Sequence, residues 1–321
     1  MMFVRTLNYP HTKVVFGEGS MEYLKDIKGR KVLVTTRSLI GGKLYSQVLG
    51  LTEAEVLQGP SQHTPEEQMR ALGISGFDVV ISLGGGSIID GVKALSPKFH
   101  VAIPTTLSGA EHTEFAGFTS KGRKVSVQGK EPDLVILDPK ALTETPRELL
   151  LSSGVRAIDH AIEAFYSARA TPFTDVLAEG SYRRLVQCLP QLPSTAEECQ
   201  GAAWGASLAM RYAGRGLSHV FGYVVGPRFK IPHGITSCIS LPAAIEMNKT
   251  PKLRQLEVGN PLNEEVGELL NKLGLRRKLG QYCSLEEAMG TVEELTEAVN
   301  RSDNPRKLSS KEVRKFLEDV F

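Results

Sequence analysis

A β-branched strand that runs directly into three glycines constrains this chain more than any other feature. FDVVISL (77–83) leads into Gly84, Gly85, Gly86 and Ser87, and then into IIDGVKAL, which reads as a helix carrying Asp90 in its first turn and Lys93 one turn on. Glycines at a strand-to-helix turn let backbone amides approach an anion closely, and a helix N-terminus favours negative charge. The bland alternative is a tight turn with no ligand. A second strand, HVAIP (100–104), opens into Thr105, Thr106, Leu107, Ser108 and Gly109, so two βα loops would offer amides and hydroxyls at one carboxyl edge of a sheet. Open α/β sheets bind ligands at that edge. The spacing is not GxGxxG, so the ordinary Rossmann fingerprint does not apply.

The same rhythm recurs in KVLVTT (31–36) and DLVIL (133–137), which predicts a parallel sheet with covering helices over the first half. From about Thr145 the texture changes to amphipathic segments such as RELLLSSGVRAIDHAIEAFYSA and GAAWGASLAMRYAG, so the second half is expected to be all helical. DPKALTETP is rich in turn formers and caps, which places the boundary near Pro146 and gives domains 1–146 and 147–321. LNEEVGELLNKLGL and SSKEVRKFLEDVF read as amphipathic helices near the end of the chain.

A chain of 321 residues with 41% hydrophobic and 23% charged residues has enough core for two domains. Its 38 basic against 36 acidic residues supply no field for a polyanion, which argues against nucleic acid as a partner. MMFVRTLNYPHTKVVFG lacks the apolar core of a secretory signal, and no later stretch could span a membrane, so a soluble cytoplasmic protein is expected. Cys188, Cys199, Cys238 and Cys283 form no CxxC pair or zinc-finger spacing and are expected to be reduced packing residues.

GGGSIIDGVKAL (84–95), IPTTLSGAEHTEFAG (103–117), GVRAIDHAIEAFYS (154–167) and GLSHVFGYVVGPRFKIPHGITSCISLP (216–242) resemble successive signatures of the iron-containing alcohol dehydrogenase superfamily, whose fold is dehydroquinate synthase-like. The resemblance spans nearly the whole chain, with residues 250–300 abbreviated. It implies a dinucleotide-binding α/β domain, an all-α domain and a hydride-transfer site in the cleft between them. By motif, Gly84 to Ser87 with Asp90 would cradle the pyrophosphate, Thr105, Thr106 and Ser108 would flank the nucleotide, and Lys124 of GRKVSV would lie near the ribose; in isolation Lys124 reads as a solvated loop lysine. NAD-preferring members carry an Asp after the first strand, where Thr36 and Arg37 stand here. An Arg can neutralise a 2′-phosphate. NADPH is therefore expected to serve at least as well as NADH, unless Arg37 is a plain surface residue.

The resemblance also implies a metal site. His160, His219 and His233 match the family's metal-binding histidines, and imidazole suits iron and zinc. The fourth family ligand is an Asp one helical turn before the first histidine, and here that position is Arg156. A guanidinium cannot coordinate and repels a divalent ion. Members without the full ligand set resemble maleylacetate reductases, and the short PTTLSGAEHT loop leans the same way, whereas GGGSIID leans toward the alcohol dehydrogenases. Arg156 could polarise a carbonyl, clamp a carboxylate, or simply pair with Asp159 or Glu163. Tyr223 and His112 compete as proton donors, each with a structural alternative.

The reading is thus an NAD(P)H-dependent oxidoreductase acting on a small carbonyl or alcohol, maleylacetate reductase-like and metal-independent. Its alternatives are a metal-dependent alcohol dehydrogenase, a dehydroquinate synthase-like cyclase, or a dinucleotide-binding non-enzyme. A homodimer paired through the strand RTLNY (5–9) is expected from the resemblance and from edge-strand physics.

Overall fold

Short runs of Val, Ile and Leu bounded by turn residues become the strands of one parallel sheet. The structure is a computed structural model that describes residues 10–120 and 123–321. The strands are β1 (Lys13–Phe16), β2 (Lys31–Thr35), β3 (Glu55–Gln58), β4 (Val79–Gly84), β5 (Phe99–Pro104) and β8 (Leu134–Leu137), ordered β1-β8-β5-β4-β2-β3. All pairings in this sheet are parallel. The expected pairing segment RTLNY lies outside the described residues.

The chain steps outward from β2 to β3 and then returns to the other side of β2 to form β4. The strand order therefore reverses between β2 and β4, and the crevice beyond their carboxyl ends is where such sheets bind ligands. Thr35 lies beside Leu83 in the register, so the turns that begin at Thr36 and Gly85 leave the sheet side by side. Helices α1 (Lys43–Thr52), α2 (Glu66–Arg70) and α3 (Gly86–Ala94) belong to this half. A two-stranded antiparallel hairpin, β6 (Phe115–Ser120) with β7 (Arg123–Gln128), was not expected from the sequence, and it packs on α3.

The remainder is helical: α4 (Arg147–Tyr166), α5 (Pro172–Cys188), α6 (Ala196–Ala213), α7 (Leu217–Arg228), α8 (His233–Met247), α9 (Leu262–Leu273), α10 (Leu285–Met289), α11 (Val292–Arg301) and α12 (Ser310–Val320). The apolar periodicity of RELLLSSGVRAIDHAIEAFY produces α4, and every residue from Leu150 to Tyr166 is buried, packed by α5, α6 and α8. No helix among the described residues is long and apolar enough to cross a membrane.

The cysteine expectation needs correction. Cys188 and Cys199 are joined by a disulfide, because α5 and α6 pack against each other and bring the end of one beside the start of the other. Linear spacing of eleven residues gave no hint of it. Cys238 and Cys283 are free, as expected.

Candidate active site

The β4-to-α3 turn forms an open cradle. Gly85 caps α3 with no side-chain hydrogen bond, so the first amides of the helix have no partner from a capping side chain. A Cβ on Gly85 would lie 3.1 Å from Thr106 Cγ2, and one on Gly86 would lie 3.2 Å from Ser108 Oγ. At both positions the absent Cβ lets the two βα loops approach closely, and a side chain would require Thr106 or Ser108 to give way by a few tenths of an ångström. Gly84 differs: its missing Cβ makes room for Ile88, at 2.7 Å, and it serves packing. Thr105 donates its N–H to Gly84 O (3.0 Å) and accepts from Thr145 Oγ1 (2.7 Å), while Thr106 Oγ1 donates to Ser108 Oγ (3.2 Å). This is a polar rim with bare helix amides, and a dinucleotide diphosphate fits it.

Asp90 and Lys93 are structural partners of the cradle. Lys93 is fully buried, pairs with Asp90 Oδ1 at 2.8 Å, and donates to the carbonyls of Ala110, Thr113 and Phe115. Asp90 Oδ2 accepts the Gly117 N–H (3.1 Å) and so ties the hairpin to α3. A Cβ at Gly117 would stand 2.7 Å from Lys124 Cε, so the bare backbone there lets Lys124 lie across β6. Thr36 and Arg37 lie in the turn after β2; Arg37 is exposed and has no carboxylate partner among the described residues.

The helical half supplies the second wall. Arg156, Asp159, His160 and Glu163 occupy one stripe of α4 at i, i+3, i+4 and i+7. All four are buried, so each requires partners. Arg156 pairs with Asp159 Oδ2 (3.0 Å), donates to Ser237 Oγ (2.9 Å) and stands 2.9 Å from His233 Nε2. Asp159 Oδ2 also accepts from Ser218 (2.9 Å) and Ser237 (2.6 Å). Of the two ion pairs weighed for Arg156, the structure contains the one with Asp159. Glu163 instead accepts the N–H groups of Gly216 (2.8 Å), Ser218 (2.7 Å) and His219 (3.2 Å), capping α7 from a neighbouring helix. Burial, and next the Asp159 carboxylate, push Glu163 up to about 8 against the pull of those amides.

The cap fixes His219 in the first turn of α7. His160 and His219 have ring centroids 5.3 Å apart, His219 and His233 5.9 Å, and Tyr223 stacks on His219 at 5.1 Å and meets His233 edge-on at 5.5 Å. Burial first, and the Arg156 charge next, hold all three imidazoles well below the ordinary histidine range, so they are neutral. Neutral imidazoles could coordinate a metal ion. The remaining groups do not fit one: a guanidinium sits against the Nε2 of His233, and no three His, Cys, Asp or Glu side chains among the described residues converge as ligands. The metal expectation for His160, His219 and His233 meets a permanent cation inside the cluster.

Arg215 and His63 escaped the sequence reading, whereas Lys124 did not. Arg215 lies 4.7 Å from the Tyr223 ring centroid and Lys124 lies 5.9 Å from it; neither has a carboxylate partner among the described residues. Both line, with Tyr223, a cavity of about 650 Å³ bounded by α7 and α11. His63 is held in a left-handed conformation (φ 66°), with its N–H on Ser87 Oγ (3.2 Å) and its carbonyl accepting from Thr119 (3.0 Å). Its Nε2 is buried without a partner. No motif signals a left-handed histidine.

His112 does not join the cluster. Its ring stacks on Trp204 at 5.6 Å and stands 3.3 Å from Glu111, while its carbonyl accepts from Arg211. Its surroundings are those of a packing residue, because the turn Ala110–His112 that carries it packs against α6.

Residues 10–139 match the family described as iron-containing alcohol dehydrogenase, and residues 150–321 match the Fe-containing alcohol dehydrogenase family, C-terminal. Maleylacetate reductase 1 of Cupriavidus pinatubonensis is 29% identical over 345 residues, covering 98% of this chain and 97% of that protein. The 1-propanol dehydrogenase PduQ of Salmonella typhimurium is 29% identical over 74% of this chain and 72% of its own. Among solved structures, the iron-containing alcohol dehydrogenase from Thermococcus thioreducens superposes with a TM-score of 0.84 at 25% identity, over 98% of this chain and 99% of that one. The sulfoacetaldehyde reductase from Bifidobacterium kashiwanohense, solved in complex with NAD+, shares the fold with a TM-score of 0.87 at 18% identity, over 99% of each chain. With both halves matched, the chain belongs to the iron-containing alcohol dehydrogenase family of dehydrogenases and reductases.

Proposed function

We propose that this protein is a nicotinamide-dependent reductase of a small carbonyl compound bearing an anionic group, a keto acid, working without a metal ion in the manner of its maleylacetate reductase relatives. The observation that carries the reading is the buried Arg156 guanidinium bonded to His233 among three neutral imidazoles. Gly85, Gly86, Thr106 and Ser108 would hold the dinucleotide diphosphate, Lys124 its ribose, and Arg37 a 2′-phosphate. When bound there, the cofactor supplies the hydride.

The chain's own residues do the rest. Arg156 is 1% exposed and both terminal nitrogens of its guanidinium are engaged, so it is a positioning residue: it orients His233 and places a fixed positive charge near the developing alkoxide. Preorganised charge in a water-poor site stabilises such an oxyanion. Tyr223, between the imidazoles and the cavity, donates the proton from its hydroxyl to the alkoxide oxygen. Arg215, which has no carboxylate partner among the described residues and lines the cavity, receives the substrate's anionic group. A domain division at 146/147 puts these two walls on different domains.

A metal-dependent alcohol dehydrogenase would require Arg156 to leave three buried hydrogen bonds, which disfavours that alternative. The test is oxidation of NADPH by keto acids and by neutral aldehydes, before and after chelation. Keto acid turnover undiminished by chelator is expected; turnover that appears only with added iron or zinc overturns the reading.

A further inference from the structure

The Arg156 guanidinium stands against His233, the outermost of three imidazoles that lie ring to ring in the helical wall. It lies one helical turn before His160 on α4, 2.9 Å from His233 Nε2 on α8, and 2.9 Å from Ser237 one turn further along α8. A tetrahedral zinc ion, with Zn–N of about 2.0–2.1 Å, brings ligand ring centroids to about 5 Å from one another. The rings of His160 and His219 are already at 5.3 Å, and those of His219 and His233 are slightly open at 5.9 Å. The Nδ1 atoms of His160 and His219 are buried and make no hydrogen bond. Of three imidazoles that lie ring to ring, one thus bonds a cation that cannot be a metal ion, and the chain itself supplies it.

We infer that Arg156 is a tethered replacement for a divalent ion: it occupies the ion's place, keeps the cage from taking a metal, and is the single residue that does so. The +1 guanidinium draws its counter-charge from Asp159, whose Oδ2 it shares with Ser218 and Ser237, and the network closes at Ser240 through Ser218 (2.8 Å). Removing the guanidinium leaves the three imidazoles facing a space with a buried carboxylate nearby, which is the electrostatic setting a cation seeks. A carboxylate at position 156 would share the face of His160 and complete a three-nitrogen, one-oxygen set suited to zinc.

The test is zinc content by elemental mass spectrometry after incubation with zinc chloride and desalting, together with the zinc-induced shift in melting temperature. Neither readout depends on turnover, so failure here is distinct from failure of the proposed function. Wild type is expected to keep only background zinc and show no shift. Arg156→Asp, expressed in zinc-supplemented medium, is expected to keep close to one ion per chain, to melt higher with zinc and to lose the gain on chelation. A folded Arg156→Asp protein without zinc overturns the inference. So does a wild-type protein that keeps stoichiometric zinc lost in His233→Ala. If Arg156→Asp does not fold even with zinc, Arg156→Ala decides: a melting temperature raised by zinc and returned by His219→Ala supports the tethered-cation role, and an unmoved one overturns it.

Discussion

The two walls of the site handle charge in opposite ways. On the α/β side the polar groups are left open: α3 begins on a bare glycine cap, and Arg37 faces solvent with no carboxylate partner among the described residues. On the helical side the charges are closed in on one another, with Arg156, Asp159, Ser218 and Ser237 bonded in one buried network and Glu163 engaged by the amides of α7. An open wall waits for an external anion, whereas a closed one has internal counter-charges and serves to fix geometry. On the proposed reading, that difference lets one cleft bind a cofactor reversibly beside a permanently charged centre.

Breaking the closed wall should have the largest effect. Arg156→Met leaves Asp159 buried with hydroxyl partners alone, and losing one partner of a buried pair costs about 3–5 kcal/mol. Urea unfolding should show a loss of that size, and Asp159→Asn in the same chain should recover a substantial part of it. A loss below about 1 kcal/mol would mean that water reaches the pair, as at exposed pairs. The open wall should respond in affinity instead. Gly86→Val places a side chain against Ser108, which can shift, while its branches fill the cradle. NADPH titration by fluorescence should give a Kd raised about 100-fold, or about 2.7 kcal/mol, with little change in melting temperature. An unchanged Kd would move the diphosphate site elsewhere.

The same contrast governs what could be read in the sequence. The strands and α4 were legible because Val, Ile and Leu recur at periods of two and 3.6, and because Gly84–Ser87 marks the carboxyl end of β4. The closed wall was only partly legible: i, i+3 spacing offered Asp159 as a partner for Arg156, but Ser218, Ser237 and His233 come from α7 and α8, so their bonds exist only after three helices pack. The Cys188–Cys199 bond depends in the same way on α5 meeting α6. The β6–β7 hairpin was hidden because FAGFTS alternates poorly and Lys124 reads as a loop lysine until the glycine beneath it is seen. His63 owes its position to a backbone conformation that no side-chain pattern encodes.

A buried histidine in the α/β half tests whether closure, rather than location in the helical half, governs acid sensitivity. His100 lies on β5 with Nε2 on Ser82 Oγ at 2.8 Å, and burial, then the charges of Lys93 and Lys130, bring its pKa down to about 3. The unfolded chain takes up this proton near pH 6.5 and the folded chain only near 3, so stability is full above about pH 6.5 and declines as pH falls through that window. At pH 4.5 the loss from this one group is about 2–3 kcal/mol. His100→Gln should be less stable than wild type at pH 7, with the gap narrowing by about that amount at pH 4.5 in urea unfolding. A constant gap would show that the imidazole is hydrated in the folded protein.

Arg37 is the mildest and most selective probe of the open wall. It follows β2, beside the Gly85 turn across the switch point, and on the proposed reading its side chain meets a 2′-phosphate on the adenosine ribose. Arg37→Asp replaces attraction with repulsion for that phosphate and offers an acceptor to a free ribose hydroxyl. The kcat/KM ratio of NADPH to NADH should fall about tenfold or more, equivalent to about 1.4 kcal/mol, while kcat with the preferred cofactor holds. Since Arg37 is exposed, salt screens its charge, and the NADPH advantage of the wild type should shrink at high ionic strength. A wild-type preference for NADH above about tenfold would remove the 2′-phosphate role, and the open wall would then select its cofactor through the glycine cradle alone.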